Sequence, residues 1–272
     1  MIRTATPHDL PELRALFARA NDAPYDLEAV AEEKCFGHGV AGAPTVRVYG
    51  EMQGAIVTCG RFVRLLIVDR DVRRQGIGSA LLADAESRGT HVIAAEPGNY
   101  FTPGVPMRDD GFRAFCHARG YLEDRWTDNL DVALDAIVDP HADGVRRPSH
   151  DERTRVLDFI EREFGRIWRF EASKAFDVEL PNAVIAEEHG EVTGFAVHDV
   201  NNRGLGFFGP TGVAKAMRGR GIGCGLLLAS LADMRRLGFA RAVIPWTDAL
   251  HFYDKCCGAK PAQRFVTFVR PQ

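Results

Sequence analysis

Arg73-Arg74-Gln75-Gly76-Ile77-Gly78 recurs 145 residues later, from 73 to 218, as Arg218-Gly219-Arg220-Gly221-Ile222-Gly223. That spacing is about half of the 272-residue chain, so the motif divides the sequence into two related halves. Each copy follows an apolar stretch (Leu65 to Val68; Leu205 to Val213) and precedes a leucine-rich one (Ala80-Leu81-Leu82; Leu226-Leu227-Leu228). A valine, Val68 or Val213, stands five residues before the first arginine in both.

Working outward, other elements repeat in the same order. A short strand runs into a capped helix near the start of each half. Ile2 to Ala5 leads to Thr6-Pro7, and Val145 to Arg147 leads to Ser149-His150-Asp151-Glu152, a capping box. A hairpin then precedes the glycine motif, with strands at 45–49 and 55–59 in one half and at 183–186 and 195–197 in the other. After the glycine helix come a further strand (91–95; 240–246), a short helix and a terminal strand (129–134; 264–269). The polar segment Asp139-Pro140-His141-Ala142-Asp143-Gly144 fits a linker. Two domains of one α+β type are expected, at 1–140 and 141–272.

Composition narrows the function classes. The chain is 46% hydrophobic and 26% charged with a formal net charge of −3, which argues for a globular protein and against a general nucleic-acid binder. No apolar run approaches the roughly 20 residues that cross a bilayer, and Met1-Ile2-Arg3-Thr4 lacks the apolar core of a signal peptide. Cytoplasmic location without membrane partners is the expectation. The six cysteines, Cys35, Cys59, Cys116, Cys224, Cys256 and Cys257, form no C-x-x-C pair, so free thiols and no metal site are expected.

A Gly-x-Gly turn that opens a helix after a strand gathers unpaired backbone N–H groups beside the positive end of the helix dipole, a setting for phosphate. Arg73, Arg74, Arg218 and Arg220 add charge. A dinucleotide fingerprint needs glycine where Leu81 and Leu226 stand, and a Walker loop needs Gly-Lys-Ser/Thr, which neither copy has.

Arg-x-x-Gly-x-Gly with the upstream valine resembles the acyl-CoA pyrophosphate loop of the GNAT superfamily of N-acetyltransferases. The resemblance covers nearly the whole chain as two tandem GNAT domains, each a mixed, mostly antiparallel sheet flanked by helices. It implies acetyl-CoA as co-substrate. Pyrophosphate would rest on Gln75, Gly76, Ile77, Gly78 and Ser79 in one copy, and on Arg220, Gly221, Ile222, Gly223 and Cys224 in the other. Arg73, Arg74, Arg218 and Gly219 complete the loops. Strand backbone near Val68 and Val213 would pair with the pantetheine arm, and Gly209-Pro210 marks where strands splay to admit it.

Acetyl transfer to an amine requires a neutral nucleophile, support for charge on the thioester oxygen and a proton for the departing thiolate. Many GNAT enzymes draw that proton from a tyrosine in a Phe-Tyr pair after the fifth strand. Phe252-Tyr253 matches in the second half; Phe115-Cys116 stands in the first. Catalysis is therefore expected in the second half, with Tyr253 as general acid and a catalytically degenerate first half. Asp248 is the candidate base or ammonium anchor, with helix N-cap as its structural alternative. Asp199 and His198 are reserves, and Glu187-Glu188-His189 reads as a solvated hairpin turn. The loop from Glu96 to Pro106, with Asn99 and Tyr100, is expected to wall a substrate cleft between the halves or to pack structurally.

The resulting expectation is an acetyl-CoA-dependent N-acetyltransferase for a small-molecule amine, an amino sugar by local resemblance, acting as monomer or homodimer. The alternatives are a non-catalytic acyl-CoA sensor and an enzyme for protein, peptide or antibiotic amines.

Overall fold

The computed structural model describes residues 1–140 and 142–271; His141 of the expected linker lies outside the described residues. The first strands are β1 (Ile2–Thr4), β2 (Thr45–Tyr49), β3 (Gly54–Cys59), β4 (Phe62–Val68), β5 (Val92–Ile93), β6 (Val105–Pro106) and β7 (Leu122–Ala133). Between them run α1 (Leu10–Ala20), α2 (Ala31–Phe36), α3 (Ile77–Glu86) and α4 (Asp110–Ala118). The remaining strands are β8 (Val145–Arg146), β9 (Ala183–Glu188), β10 (Glu191–His198), β11 (Phe208–Val213), β12 (Arg241–Thr247) and β13 (Lys260–Val269). Their helices are α5 (Arg153–Phe164), α6 (Arg166–Ser173), α7 (Ile222–Arg236) and α8 (Leu250–Cys257). The repeat of elements read from the sequence is thus present in both halves.

The chain condenses into two compact units, and they are not the two halves of the repeat. Unit 1 is Met1–Thr127 with the segment from Arg264 onward; unit 2 is Asp128–Gln263. The terminal strands are exchanged. In unit 1, β5 takes β13 as its antiparallel neighbour (Phe268↔Ile93, Val269↔Val92), and β13 also pairs β6. In unit 2, β12 pairs the latter part of β7 (Arg241↔Ala133 to Thr247↔Asp128). The expected boundary at 140/141 therefore falls inside unit 2. A terminal strand of either copy satisfies the same ladder of backbone donors and acceptors, and local patterning does not say which copy it joins.

Unit 1 is built on β1 to β4, antiparallel in sequence order, followed by β5 parallel to β4. Its core joins Ile56 and Val63 of the sheet, Leu81 and Leu82 of α3, and Val266 and Phe268 of β13. In unit 2, β8 to β11 are antiparallel in order. One face packs Leu226, Leu227 and Leu231 of α7 against Val184 and Ala196, with Leu130 and Ile244 in the same cluster. The other face packs Val156, Phe159 and Ile160 of α5 against Ile185, Phe195 and Val197. Both expected caps are present: Ser149 and Glu152 form a capping box, as do Thr6 and Asp9, with Pro7 opening the first turn.

The parallel contact is brief in each unit. Phe62↔Val92 and Val63↔Ile93 join β4 to β5, and the single bridge Phe207↔Val243 does the same in unit 2. Just beyond, each antiparallel neighbour slips register: around Arg64 between β3 and β4, and around Gly209-Pro210 between β10 and β11. Arg64 and Gly209 stand at the same 145-residue offset as the glycine loops. A bulge admits a residue that cannot serve the ladder, which is why Pro210, lacking an N–H, is tolerated inside this sheet.

Strand exchange makes unit 1 depend on the chain's last strand. Phe265, Val266 and Phe268 are fully buried there. Losing each buried phenylalanine costs about 3–5 kcal/mol, so the segment accounts for much of a typical 5–15 kcal/mol stability. A chain ended at Gln263 is expected to keep slow hydrogen exchange on α7 while β3, β4 and α3 lose protection. Full protection of α3 in that variant would refute the exchange.

Candidate active site

Unit 1 contains a cavity of about 790 Å³, lined along one side by β4 from Val63 to Val68 and closed at one end by Arg74, Gly76, Ile77, Gly78 and Ser79. That volume lies in the range of small-ligand sites. The parting of β4 from β5 makes it: Ile93 and Ala94 line the opposite side, and Phe101, Thr102 and Val105 the inner end.

The two glycine loops are built alike. Gly76 and Gly221 sit at φ +83° and +80° as the N-caps of α3 and α7, a backbone that strains any residue with a Cβ. The residue two places earlier is also left-handed in both, Gly219 at +79° and Arg74 at +66°. Arg73 Nε donates to the Val68 carbonyl at 3.0 Å, and Arg218 Nε to the Val213 carbonyl at 3.2 Å. The upstream valine and first arginine are therefore one structural device, tying loop to strand. Arg73 also donates to the Ala20 carbonyl at 2.7 Å and pairs with Asp22 at 2.6 Å. Arg220 is differently engaged, forked onto both oxygens of Glu188 at 2.9 and 2.7 Å. That pair holds the Glu188 carboxyl below its ordinary range. Gln75 is exposed, while Ile222, Gly223 and Cys224 are half-buried on the first turn of α7.

The two helices after the fifth strand can be matched by their contacts. A Cβ placed on Gly78 would lie 3.6 Å from Val68 and 3.9 Å from the Phe115 ring; one on Gly223 would lie 3.6 Å from Val213 and from the Phe252 ring. Phe115 and Phe252 thus occupy one position, which aligns Cys116 with Tyr253. Cys116 is fully buried in the core of unit 1, and burial, with help from Asp109, pushes its thiol up to about 12. It is a packing residue. Tyr253 is 8% exposed, edge-on to Phe208 and Phe252 at centroid distances of 6.4 and 5.0 Å. Burial first, then the neighbouring Cys257 and Asp248, push its phenol up to about 12.

Asp248 is exposed on the short connection between β12 and α8. The N-cap position belongs to Ala249, whose N–H is held by the Thr247 hydroxyl at 3.0 Å, so the capping alternative for Asp248 is not realised. The reserve residues are committed to structure. His198 is fully buried, with Nδ1 2.9 Å from Ser230 Oγ and Nε2 3.1 Å from Asp233 Oδ2, an ion-pair contact off the line of a good hydrogen bond. Arg147 closes on the same Asp233 carboxylate. Asp199 is mostly buried and accepts from Gly204 N at 2.6 Å, pinning a turn. Glu187 is paired with Arg146 and Arg155 rather than merely solvated.

The loop after β5 packs inward. Asn99 is 1% exposed; its amide donates to the carbonyls of Glu33, Gly37 and His38 at 3.0–3.2 Å and its oxygen accepts from Lys34 Nζ at 2.9 Å. With every polar atom engaged, Asn99 serves the fold, and Tyr100 is buried as well. Phe101, Thr102 and the stretch from Gly104 to Pro106 are the loop residues that meet the cavity. Beside them lies a fully buried ion pair. Arg64, at the bulge, forks onto Glu96, while its other nitrogen donates to the carbonyls of Lys34 and Gly37 at 2.8 Å each. In unit 2 the corresponding positions are Gly209 and Thr247, counted from the bridge pairs Phe62↔Val92 and Phe207↔Val243. Unit 1 thus fills its bulge with charge that unit 2 leaves out.

Residues 151–259 match the model of the acetyltransferase (GNAT) family. Among solved structures, the GCN5-related glucosamine N-acetyltransferase region of a fungal multi-domain GH3 beta-N-acetylglucosaminidase superposes with a TM-score of 0.81 at 18% identity. The match covers 98% of this chain and 38% of that one, so this chain spans well under half of that protein. A GCN5-related N-acetyltransferase from Sphaerobacter thermophilus (TM-score 0.71, 18% identity) matches over 100% of this chain and 96% of its own. A tandem GNAT protein of the clavulanic acid biosynthesis pathway (TM-score 0.70, 18% identity) matches over 98% and 97%. No curated protein sequence matches the chain. The GNAT model thus matches the second half of the chain, and the chain as a whole has the tandem GNAT fold. No helix among the described residues is long and apolar enough to cross a membrane.

Removing one partner of a fully buried ion pair leaves the other charge unpaired at a cost of about 3–5 kcal/mol. Glu96→Gln is therefore expected to lower the urea midpoint of unit 1 markedly, and Arg64→Met with Glu96→Gln to recover part of the loss. A single Glu96→Gln variant as stable as the parent would show that the pair does not hold the loop.

Proposed function

We propose that the protein is an acetyl-CoA-dependent N-acetyltransferase of a small primary amine, with the transferring site in unit 2. One observation carries this reading: two units share the same loop, bulge and strand parting, but only unit 2 places a tyrosine where unit 1 has a buried cysteine. The 790 Å³ cavity described above belongs to unit 1. Cavity volume measures room for a donor, whereas transfer also needs a proton donor and space for the acceptor. In unit 1 the acid is absent, and the bulge is filled by Arg64 and Glu96. Unit 1 accordingly holds acyl-CoA without transferring the acyl group.

In unit 2 the amine attacks the thioester carbon, the C–S bond breaks and the CoA thiolate leaves. The nitrogen gives up one proton to become nucleophilic and a second as the amide forms; one is matched by the proton the thiolate gains and the other leaves to solvent, so the exchange balances. Tyr253 donates to the sulfur. A phenol held near 12 stays protonated across the working pH range, as an acid must. Asp248, exposed beside it, receives the ammonium directly or through water. The pyrophosphate rests on the N–H groups from Arg220 to Cys224 and, in unit 1, on those from Gln75 to Ser79. Each sits at a helix start capped by a left-handed glycine. Arg218 and Arg73 act through the strand carbonyls they tie down, and Arg220 meets phosphate only by leaving Glu188.

The amine is taken to be an amino sugar. The glucosamine N-acetyltransferase region that superposes over nearly the whole chain supports that preference.

Tyr253→Phe is expected to cut kcat by about 10²–10³, in the range of a lost general acid, with the KM for acetyl-CoA nearly unchanged. CoA release assayed by free thiol with glucosamine, peptide and aminoglycoside acceptors reads this out; unchanged turnover would remove Tyr253 from the chemistry. Because the Tyr253 pKa is raised, kcat/KM should climb with pH as the acceptor ammonium deprotonates and show no fall below about pH 10. Glu188→Gln frees Arg220, and the KM for acetyl-CoA should drop about two- to fivefold, more so at low salt. A rise instead would mean that the pair supports the loop.

A further inference from the structure

β12 ends in a break that unit 1 shares. The register of β12 on β7 slips between Ile244 and Thr247, so Pro245 and Trp246 stand opposite the single residue Asn129. Trp246 takes φ +51°, a left-handed backbone that strains a bulky residue. It is held there: the fully buried Asn129 accepts the Trp246 N–H through Oδ1 at 3.0 Å. The result is an indole 40% exposed, two residues before Asp248 and on the connection that leads to Tyr253.

Unit 1 provides the comparison. Counting from the bridges, Val92 corresponds to Val243, and Ala95 therefore to Trp246. Ala95 is also left-handed, at φ +56°. The backbone break is thus common to both units and belongs to the parting of the strands, but its side chain is not. Unit 1 has a methyl, 7% exposed, under its inward-packed loop. Unit 2 has the largest side chain available, turned to solvent. At these two matched positions unit 2 carries Trp246 and Tyr253, and unit 1 Ala95 and Cys116.

We infer that Trp246 is the acceptor platform of the transferring site, its indole face receiving the apolar face of a ring-shaped amine whose ammonium lies at Asp248. An indole offers a large, rigid, apolar surface with only two side-chain torsions to fix, and here the backbone that carries it is fixed by the buried Asn129. A pyranose, with a face of C–H groups and hydroxyls around its rim, suits such a plate. An acyclic amine of the same charge gains little from it. This inference rests on the acetyltransferase reading and specifies its acceptor.

The test is the acceptor selectivity of Trp246→Ala and Trp246→Phe in the full chain, with ring amines (glucosamine, cyclohexylamine) against an acyclic one (ethanolamine), at saturating acetyl-CoA. The ratio of kcat/KM for ring over acyclic acceptors should fall about tenfold or more in Trp246→Ala, mainly through KM, and recover in part in Trp246→Phe. Unchanged acetyl-CoA KM and near-parent thermal unfolding separate this from a folding defect. An unchanged ratio overturns the platform, as does an equal loss for both acceptor kinds, which would point to recognition of the cation alone. Parent protein that acetylates only acyclic amines overturns it too and leaves acetyl transfer standing. Parent protein that acetylates no amine defeats the acetyltransferase reading, and the platform with it.

Discussion

Two neighbouring parallel strands that touch and then part are the constraint on which the rest depends. β4 and β5 keep two paired positions, and unit 2 keeps one bridge, before the ladder ends. Beyond it β4 lines a cavity rather than a neighbouring strand, and buried backbone groups of that kind need a partner. The bulges at Arg64 and Gly209-Pro210 and the left-handed residues at Ala94, Ala95 and Trp246 bend the chain away from a closed sheet. The arginine that reaches back to the last valine carbonyl fixes how far each first strand runs before the glycine turn. Cavity, loop and helix start are all positioned by that one interruption.

From this common frame the two units have moved in different directions. Unit 1 has invested in closure, with a buried guanidinium–carboxylate pair at the bulge, an asparagine that staples α2 to the loop, and a thiol inside the core. Buried charge of this kind is costly unless paired and hydrogen-bonded, and here every nitrogen–oxygen contact named above satisfies that demand. Unit 2 has kept its strand end lean and carries its large polar-tipped aromatics there.

The fold was largely legible because its signal is local. A glycine at φ near +80° has few substitutes, so a six-residue turn survives as a readable pattern, and two copies at one offset define a duplication. Caps and hairpins are legible for the same reason: Ser149 and Glu152 announce a helix start within four residues. What could not be read is pairing between distant segments. The strand content of β7 and β13 is plain in the sequence, but their exchange is a choice of partner among equivalent edges. Asn99 illustrates a second limit. In a Pro- and Gly-rich loop an asparagine is equally at home facing a ligand or three carbonyls, and only the position of α2 decides. The break at Trp246 depends on Asn129, more than a hundred residues away, and leaves no trace in the residues around it.

Strand exchange also sets an order in time. During synthesis the N-terminal portion of a chain ordinarily has the first opportunity to fold. Here the residues of unit 2 lie between the body of unit 1 and the strand that completes it. As the chain emerges from the ribosome, Ile93 and Val105 wait with an open edge until Phe265 to Val269 arrive, whereas unit 2 has all its parts by Gln263. The nascent chain therefore holds every segment of unit 2 before unit 1 receives its last strand, and an apolar sheet edge stays open throughout the interval.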